Sequence, residues 1–535
     1  MAHEARQVDN PIIEREIKDA IWQANSKSKP GPDGIPYTYY KEAWENIKHI
    51  LLQEFNTILS AGSIPIDYSL VLITLILKPR KNKEFLPNYR PISLINTNMR
   101  ILAIVLNNRL LKFIPQLVGS EQTGFVPGRT SFEQIAAFKE VFHSMRPDSN
   151  LFQLLRTSKI LVADFQKAFD SISHAYLDHL FQILNLGTNF RRLLINILKS
   201  ATASIMINNF HGPLFKLASG TLQGNPISPS IFLLAIQPLL ENIQTKNHGI
   251  KLEVRNELTI SMQPLGKDFA IQNPMNPDIL IKVTAFADDV TIFVKDDTEL
   301  FTTLQYIKDF EKYSGSTLST DKSKLYHTAE YHRTFGPLTK LPYEQVPVFT
   351  STPSIVYLGI PLNTPLHQDQ VLKNIKYKYY LTQMHHLSLA EKVLGYNTYI
   401  IPKLLYRAMH QPLSNSTTTK IEESFQHLCR RIGSLSLSTL KTSTQMGGYG
   451  MLDLKNHFLY RYAHVIYQLL TSLEKYLYHQ ILRYKIQYAI NTQIQVESLL
   501  DQYQKSQLHP ESHFQRIGSM IDRNSIQTHI WYFPL

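Results

Sequence analysis

Lys282-Val-Thr-Ala-Phe-Ala-Asp-Asp-Val-Thr-Ile-Phe-Val-Lys295 sets two adjacent acids, Asp288 and Asp289, between two apolar runs. Val283–Phe286 and Val290–Val294 are rich in Val, Ile, Thr and Phe, whose branched or aromatic side chains suit a pleated surface. The pattern predicts a β-hairpin with both aspartates at its tip. On a solvated hairpin an Asp-Asp turn would need no further explanation, because aspartate is a common turn residue. Here both flanks read as buried strands, and two carboxylates at the end of such strands are costly unless a cation or partner compensates them.

Outward from the hairpin, Lys159-Ile-Leu-Val-Ala-Asp164 is a second apolar run that ends on an acid, with a turn and helix expected after it. If the fold brings Asp164 to the hairpin tip, three carboxylates face one another. Like charges that close demand compensation, and hard divalent cations with oxygen ligands are the economical one. The alternative for Asp164 is a plain helix cap. Zinc is disfavoured, since no His pair stands at ligand spacing and Cys429 is the single cysteine.

The chain has 535 residues, 43% hydrophobic and 18% charged, ordinary values for folded domains and enough for two or three of them. Lys and Arg number 55 against 43 Asp and Glu, a net +12. From His367 to the end the count is 18 against 10, with eleven histidines, so part of the excess is concentrated there. A polyanionic partner fits, nucleic acid first and an anionic membrane second, although ordinary surface charge fits as well. A lone cysteine excludes disulfides and suits a reducing compartment. Met1-Ala-His-Glu-Ala-Arg-Gln7 has no apolar signal core, and no run is long enough to span a bilayer. A soluble intracellular protein with no membrane partner is expected.

Ile12, Ile13, Ile17, Ala20, Ile21 and Ala24 stand at helical spacing, ahead of the turn-rich Ser26-Lys-Ser-Lys-Pro-Gly-Pro-Asp-Gly34. A second helix is expected from about Tyr37 to Ala61. Leu70–Leu77 predicts a strand, Lys78-Pro-Arg-Lys-Asn-Lys83 a basic turn, and Asn88–Ile95 a second strand opening onto a helix to Phe113. That hairpin with cations at its tip suits phosphates, or is simply a solvated turn. Glu121-Gln-Thr-Gly-Phe-Val-Pro-Gly-Arg129 is a Gly-punctuated loop before a helix over Ser131–Met145. Ser219–Ser230 is a turn feeding an apolar helix, Ile231–Leu240, and 241–280 reads as an irregular polar insertion. A helix over Leu300–Tyr313 and a last short strand, Tyr357–Leu362, follow; from about Gln368 the pattern is helical, broken at Gly447-Gly-Tyr-Gly450.

Several of these stretches form an ordered series. Lys29-Pro-Gly-Pro-Asp-Gly-Ile35, the Leu77-Lys-Pro hairpin, Asn88-Tyr-Arg-Pro-Ile-Ser-Leu94 and Glu121-Gln-Thr-Gly-Phe125 come first. Asp164-x4-Phe169-Asp170, Gly220-Thr-Leu-Gln-Gly-Asn-Pro-Ile-Ser-Pro229, Phe286-Ala-Asp-Asp289, Ser319-x2-Lys322 and Tyr357-Leu-Gly-Ile360 follow. From about residue 25 to 460 the series resembles the reverse transcriptases of LINE-type (non-LTR) retrotransposons. No single block is decisive; the order is.

The resemblance implies an α+β right-hand polymerase fold: fingers, a palm with a small antiparallel sheet, a helical thumb and a helical C-terminal extension. It divides the chain into an N-terminal extension (1–25), fingers with the start of the palm (26–160), palm (161–362), thumb (363–460) and tail (461–535). The reverse transcriptase domain would span about 58–362. Implied too is an RNA-directed DNA polymerase that adds dNTPs to a DNA primer on an RNA template, with two Mg²⁺ ions, or Mn²⁺ in their place. Position by position, Asp164, Asp288 and Asp289 would hold the metals, and Lys78, Arg90, Phe165, Phe169 and Gln223 would line the nucleotide site. Arg90 would meet the triphosphate with its bidentate fork. Phe169 would be the aromatic gate against a ribose 2′-hydroxyl, Gln223 would lie next to the 3′-hydroxyl, and Lys322 would protonate the leaving pyrophosphate. A core Phe after a turn is the plain counterpart of Phe169. An exposed cap lysine is that of Lys322, with Lys324 as a rival.

LINE proteins usually carry an endonuclease as well. No nuclease motif, Cys/His knuckle or ribonuclease H acid set stands out here, so a polymerase fragment is expected, or a chain whose nick comes from elsewhere. Asn225 stands where many relatives have Cys. Other readings are a group II intron-like or domesticated reverse transcriptase, an RNA-only polymerase, and a nucleic-acid binder that has lost the chemistry. Action in retrotransposition would place the chain in the nucleus.

Overall fold

In the computed structural model of the chain, Leu70–Leu77 (β1) and Tyr89–Ile95 (β2) form the expected hairpin, its register running from Val71 opposite Ile95 to Leu77 opposite Tyr89. The structure describes residues 8–79, 81–145, 155–208, 210–253, 278–327, 348–350, 356–361, 386–408, 410, 413, 415–429, 436–458 and 460–461. After β2 the helix Thr97–Leu111 precedes β3 (Lys159–Ala163), and helices His174–Ile183 and Thr188–Lys199 precede β4 (Thr202–Ile207). β4 lies parallel to β1, Leu70 opposite Thr202, and carries the short β5 (Phe210–His211) and β6 (Phe215–Lys216). Parallel pairing needs a long crossover, which the intervening helices supply.

The helix Ser228–Lys246 leads to β7 (Ile250–Glu253), which pairs with β8 (Asp278–Ile281). The hairpin that anchors the sequence follows as β9 (Val283–Phe286) and β10 (Asp289–Val294). With β11 (Lys324–His327) and β12 (Val348–Thr350) it completes a sheet ordered β12-β11-β3-β10-β9. β3 sits at its centre, antiparallel to both β10 and β11. Between two strands and under helices, β3 has no solvated face, and four of its five residues are buried. That is why it reads as a continuous apolar run rather than an alternating one.

Helices Thr97–Leu111 and Ser228–Lys246 bury residues around most of their circumference and form the middle of the main core, joined by Leu161, Ala163, Val290 and Ile292. The N-terminal helix Glu14–Gln23 buries Ile17, Ala20 and Ile21. Arg109 ties it down with two 2.7 Å bonds to the Glu16 carboxylate and further ones to the carbonyls of Val8, Asn10 and Pro11.

The chain divides into two compact units, Met1–Ser131 with Phe152–Ile250 and Lys282–Thr350, and Phe132–Leu151 with Lys251–Ile281 and Ser351–Leu535. The second unit contains the helix Phe132–Ser144 and a core of Leu389, Val393, Tyr396, Ile400, Leu404, Ile421, Phe425 and Leu454. Its helices include Leu389–Gly395, Ile401–Ala408 and Asn415–Cys429, the first two joined by a π-helical turn, Tyr396–Ile400.

Three expectations change. The helix over Tyr37–Ala61 is two, Tyr37–Glu42 and Trp44–Ala61, bent where Ala43 takes ψ 2°; the short piece buries Tyr37 and Tyr40, and the long one starts on buried Trp44. The segment 241–280 is less irregular than its polarity suggests, because the helix continues to Lys246 and β7 pairs with β8; 254–277 lie outside the described residues. The last strand is instead a tiny hairpin, β13 (Val356–Tyr357) and β14 (Ile360–Pro361). Leu358 and Gly359 turn it with positive φ of 46° and 78°, as a two-residue hairpin turn of this kind requires. The proposed tail beyond 461 also lies outside the described residues.

Candidate active site

Phe286 pairs with Asp289 across the hairpin, leaving Ala287 and Asp288 as a two-residue turn in which Ala287 takes the left-handed φ of 56°. Register brings the third acid in: Ala163 lies opposite Val290, so Asp164 leaves β3 beside the hairpin tip. Its backbone is held by the Ser319–Ser323 segment. The Asp164 N–H donates to Ser323 Oγ at 3.1 Å, and its carbonyl accepts from the Ser319 N–H at 2.7 Å. Lys322 reaches Asp164 Oδ1 with its Nζ at 3.3 Å.

The three acids feel one another. Asp289 is pushed up to about 6, first by loss of solvent, then by the Asp288 and Asp164 charges. Burial raises Asp288 as well; the Asp164 charge adds to this and the Lys322 ammonium opposes it. Asp289 keeps an exposed face, while Asp164 and Asp288 are half-buried. Neighbouring carboxylates of this kind are hard oxygen donors whose repulsion a divalent cation would relieve, and they fit a Mg²⁺-type ion by donor chemistry. Among the described residues no group of three or more His, Cys, Asp or Glu is drawn together closely enough to hold a metal ion, so the fit rests on donor chemistry alone.

Beside the acids, the Gly220–Pro229 stretch hugs the turn after β3. The Phe169 carbonyl accepts from the Thr221 N–H at 2.6 Å, and Gln223 Nε2 donates to Asp170 Oδ2 at 2.8 Å. Burial raises the Asp170 carboxyl, and the Gln223 bond works against that. Phe169 is half-buried, its ring stacked on Phe232 at 4.4 Å. The Gln223 carbonyl also accepts from the Ser93 N–H at 2.7 Å, so β2 and this stretch share a main-chain bond. Arg90 is exposed on β2 opposite Ile76.

Two implied nucleotide-site residues are turned elsewhere. Lys78 donates its Nζ to the Pro87 carbonyl at 3.1 Å, within its own hairpin. Phe165 is buried (4% exposed) and meets Phe310 edge-on at 5.9 Å, so its ring belongs to the core. Sequence reasoning missed Asp170 as the partner of Gln223. The Asp-x4-Phe-Asp spacing was visible, but not which loop would return to it.

Residues 76–362 match the family described as reverse transcriptase (RNA-dependent DNA polymerase). The chain belongs to the reverse transcriptase family. Among curated relatives it is similar to the transposon TX1 uncharacterized 149 kDa protein of Xenopus laevis, 24% identical over 59% of this chain and 22% of that one. A Pol polyprotein from the type-2 retrotransposable element R2DM of Drosophila melanogaster is 27% identical over 60% of this chain and 27% of its own length. One from the type-1 element R2 of Popillia japonica is 23% identical over 83% and 58%. The relatives place this reverse transcriptase on the LINE-type, non-LTR branch. It spans about a quarter of the length of the first two. Reverse transcriptases have a polymerase fold and in general use divalent metal ions, an RNA template, a DNA primer and dNTPs. Among the described residues no helix is long and apolar enough to cross a membrane.

Proposed function

We propose that the chain is the RNA-directed DNA polymerase of a LINE-type retroelement, extending a DNA primer on an RNA template. The convergence of Asp164 with Asp288 and Asp289 at one end of a buried sheet carries this reading. The sheet around β3 would be the palm, the β1–β2 hairpin part of the fingers, and 363–460 the thumb. Asp164, Asp288 and Asp289 would hold two Mg²⁺ ions, or Mn²⁺, which when bound supply activation of the primer 3′-hydroxyl and neutralise pyrophosphate.

The chain's own residues do the rest. Exposed Arg90 is free of the hairpin strands on its side-chain end and can fork onto phosphate oxygens. Lys78 would join it by leaving the Pro87 carbonyl. Gln223, anchored on Asp170, would lie along the sugar, and Phe169 would exclude a 2′-hydroxyl. Lys322, with its Nζ 3.3 Å from Asp164 Oδ1, would hand a proton to pyrophosphate. The test is primer extension on an RNA template with dNTPs and Mg²⁺. Wild type should extend, and Asp288→Ala should lose roughly three or more orders of magnitude. Activity that survives Asp288→Ala would falsify this placement of the site; inactivity of both proteins, with template still bound, would mean a binder without chemistry.

A further inference from the structure

The stretch Glu121–Phe125, which composition marks only as a Gly-punctuated loop, is laid against the aspartate hairpin. Its main chain extends the sheet beyond β9: Thr123 N–H donates to the Ala285 carbonyl at 2.8 Å, and Ala285 N–H to the Glu121 carbonyl at 2.7 Å. Between them stands Gln122, with 0% of its surface exposed. Gln122 Oε1 accepts from the Ala287 N–H and the Gly124 N–H, both at 2.9 Å, and Nε2 donates to the Ala287 carbonyl at 3.1 Å. One amide side chain thus grips the peptide on each side of Ala287. Ala287 needs that grip, because an L-residue with a side chain is disfavoured in the left-handed region it occupies. Gly124 makes the approach possible, since a Cβ there would run into the Ala287 nitrogen.

We infer that Gln122 is a positioning residue for the acid cluster. The Ala287 carbonyl belongs to the peptide that leads into Asp288, so holding that peptide plane sets the direction in which the Asp288 side chain leaves the turn. Without the clamp the turn can rotate its Ala287–Asp288 peptide, and the carboxylate loses its fixed bearing toward Asp164. This rests on the reading of Asp288 and Asp289 as metal-binding acids.

The full chain, with Mn²⁺ as the only added ligand, is titrated by electron paramagnetic resonance and then assayed for primer extension. Gln122→Leu, which keeps the volume and removes the polar atoms, should weaken Mn²⁺ binding by roughly 10–100-fold and lower kcat similarly, with the dNTP KM nearly unchanged. Adding Ala287→Gly, which accepts positive φ without strain, should return a large part of both losses. Melting in EDTA reports the folded fraction. If Gln122→Leu binds Mn²⁺ and turns over like wild type per folded molecule, Gln122 is a packing residue and the inference is wrong. Should Gln122→Leu not fold, Gln122→Asn, one methylene too short to span the turn, is judged by the same readings. Asp288→Ala run alongside separates the two levels. Unchanged Mn²⁺ binding and extension there would sink the functional reading itself, whereas loss there with none in the Gln122 variants sinks only the clamp.

Discussion

Phe165 and Phe169 stand four residues apart and do different work. Phe165 points into the core against Phe310, while Phe169 is half-buried with its ring stacked on Phe232. Only the second keeps part of its ring open to solvent, as the proposed sugar gate requires. Phe169→Ala should therefore raise the rNTP-to-dNTP ratio of kcat/KM by about 10–200-fold, the range a small steric difference in a pocket commands. It should also cost stability, at most the ~3–5 kcal/mol of a fully buried Phe→Ala change. Single-nucleotide incorporation with matched rNTP and dNTP, beside a thermal melt, separates the effects. A stability loss with an unmoved ratio would leave Phe169 as a core residue.

At the scale of elements, the Ser219–Gln223 loop is what packs against the turn after β3. Gly220 takes φ 82°, and a Cβ on it would meet the Asp170 main chain. The Gly220 carbonyl is in turn bonded to buried His174 Nε2 at 2.9 Å. Gly220→Ala should cost about 1–2 kcal/mol for the left-handed conformation, with ~1–3 kcal/mol more for pushing the loop off Asp170. Gly34→Ala is the control, because φ there is 71° but nothing lies near its Cβ; only the first cost should appear in a urea melt. Equal losses at the two glycines would refute the close approach. What the sequence discloses at this scale is what is local. β1, β3, β9 and β10 are written in short, mostly apolar runs that include β-branched residues, and the hairpin turn in its adjacent acids. The amide of Gln122 on Ala287, the bond from Gln223 to Asp170 and the burial of Phe165 all depend on which distant segment arrives. A glutamine carries no periodic signal, so composition could not separate a clamp from a loop filler. The Ala43 bend was equally hidden, since alanine favours a straight helix and only the packing of Tyr40 and Trp44 decides otherwise.

Across the whole molecule, both units pair cations with carboxylates, and the second also buries a histidine whose titration burial shifts far. The first pairs its buried cations: Arg109 with Glu16 at 2.7 Å, and fully buried Lys159 with Asp297 at 2.9 Å. In the second, Lys441 bridges Glu422 and Asp453 at 2.8 and 2.6 Å, but His410 is buried as a neutral ring. It stacks on Phe132 at 4.7 Å and meets the edge of Tyr406 at 5.7 Å. Burial, helped by the Lys139 charge, lowers its pKa to about 3. An unfolded histidine titrates near 6.5, so between these values the unfolded chain holds a proton that the folded one refuses. The second unit should then be at full stability above pH 6.5. It should weaken as pH falls toward 3, by at most ~1.4 kcal/mol per unit and ~4–5 kcal/mol in all. Hydrogen exchange, corrected for its intrinsic pH dependence, reads this on peptides covering Ile401–Ala408 and Asn415–Cys429. Protection there should fall between pH 6.5 and 4, and His410→Leu should flatten the fall because it has nothing to protonate. A slope that survives the substitution would assign the acid sensitivity to other groups.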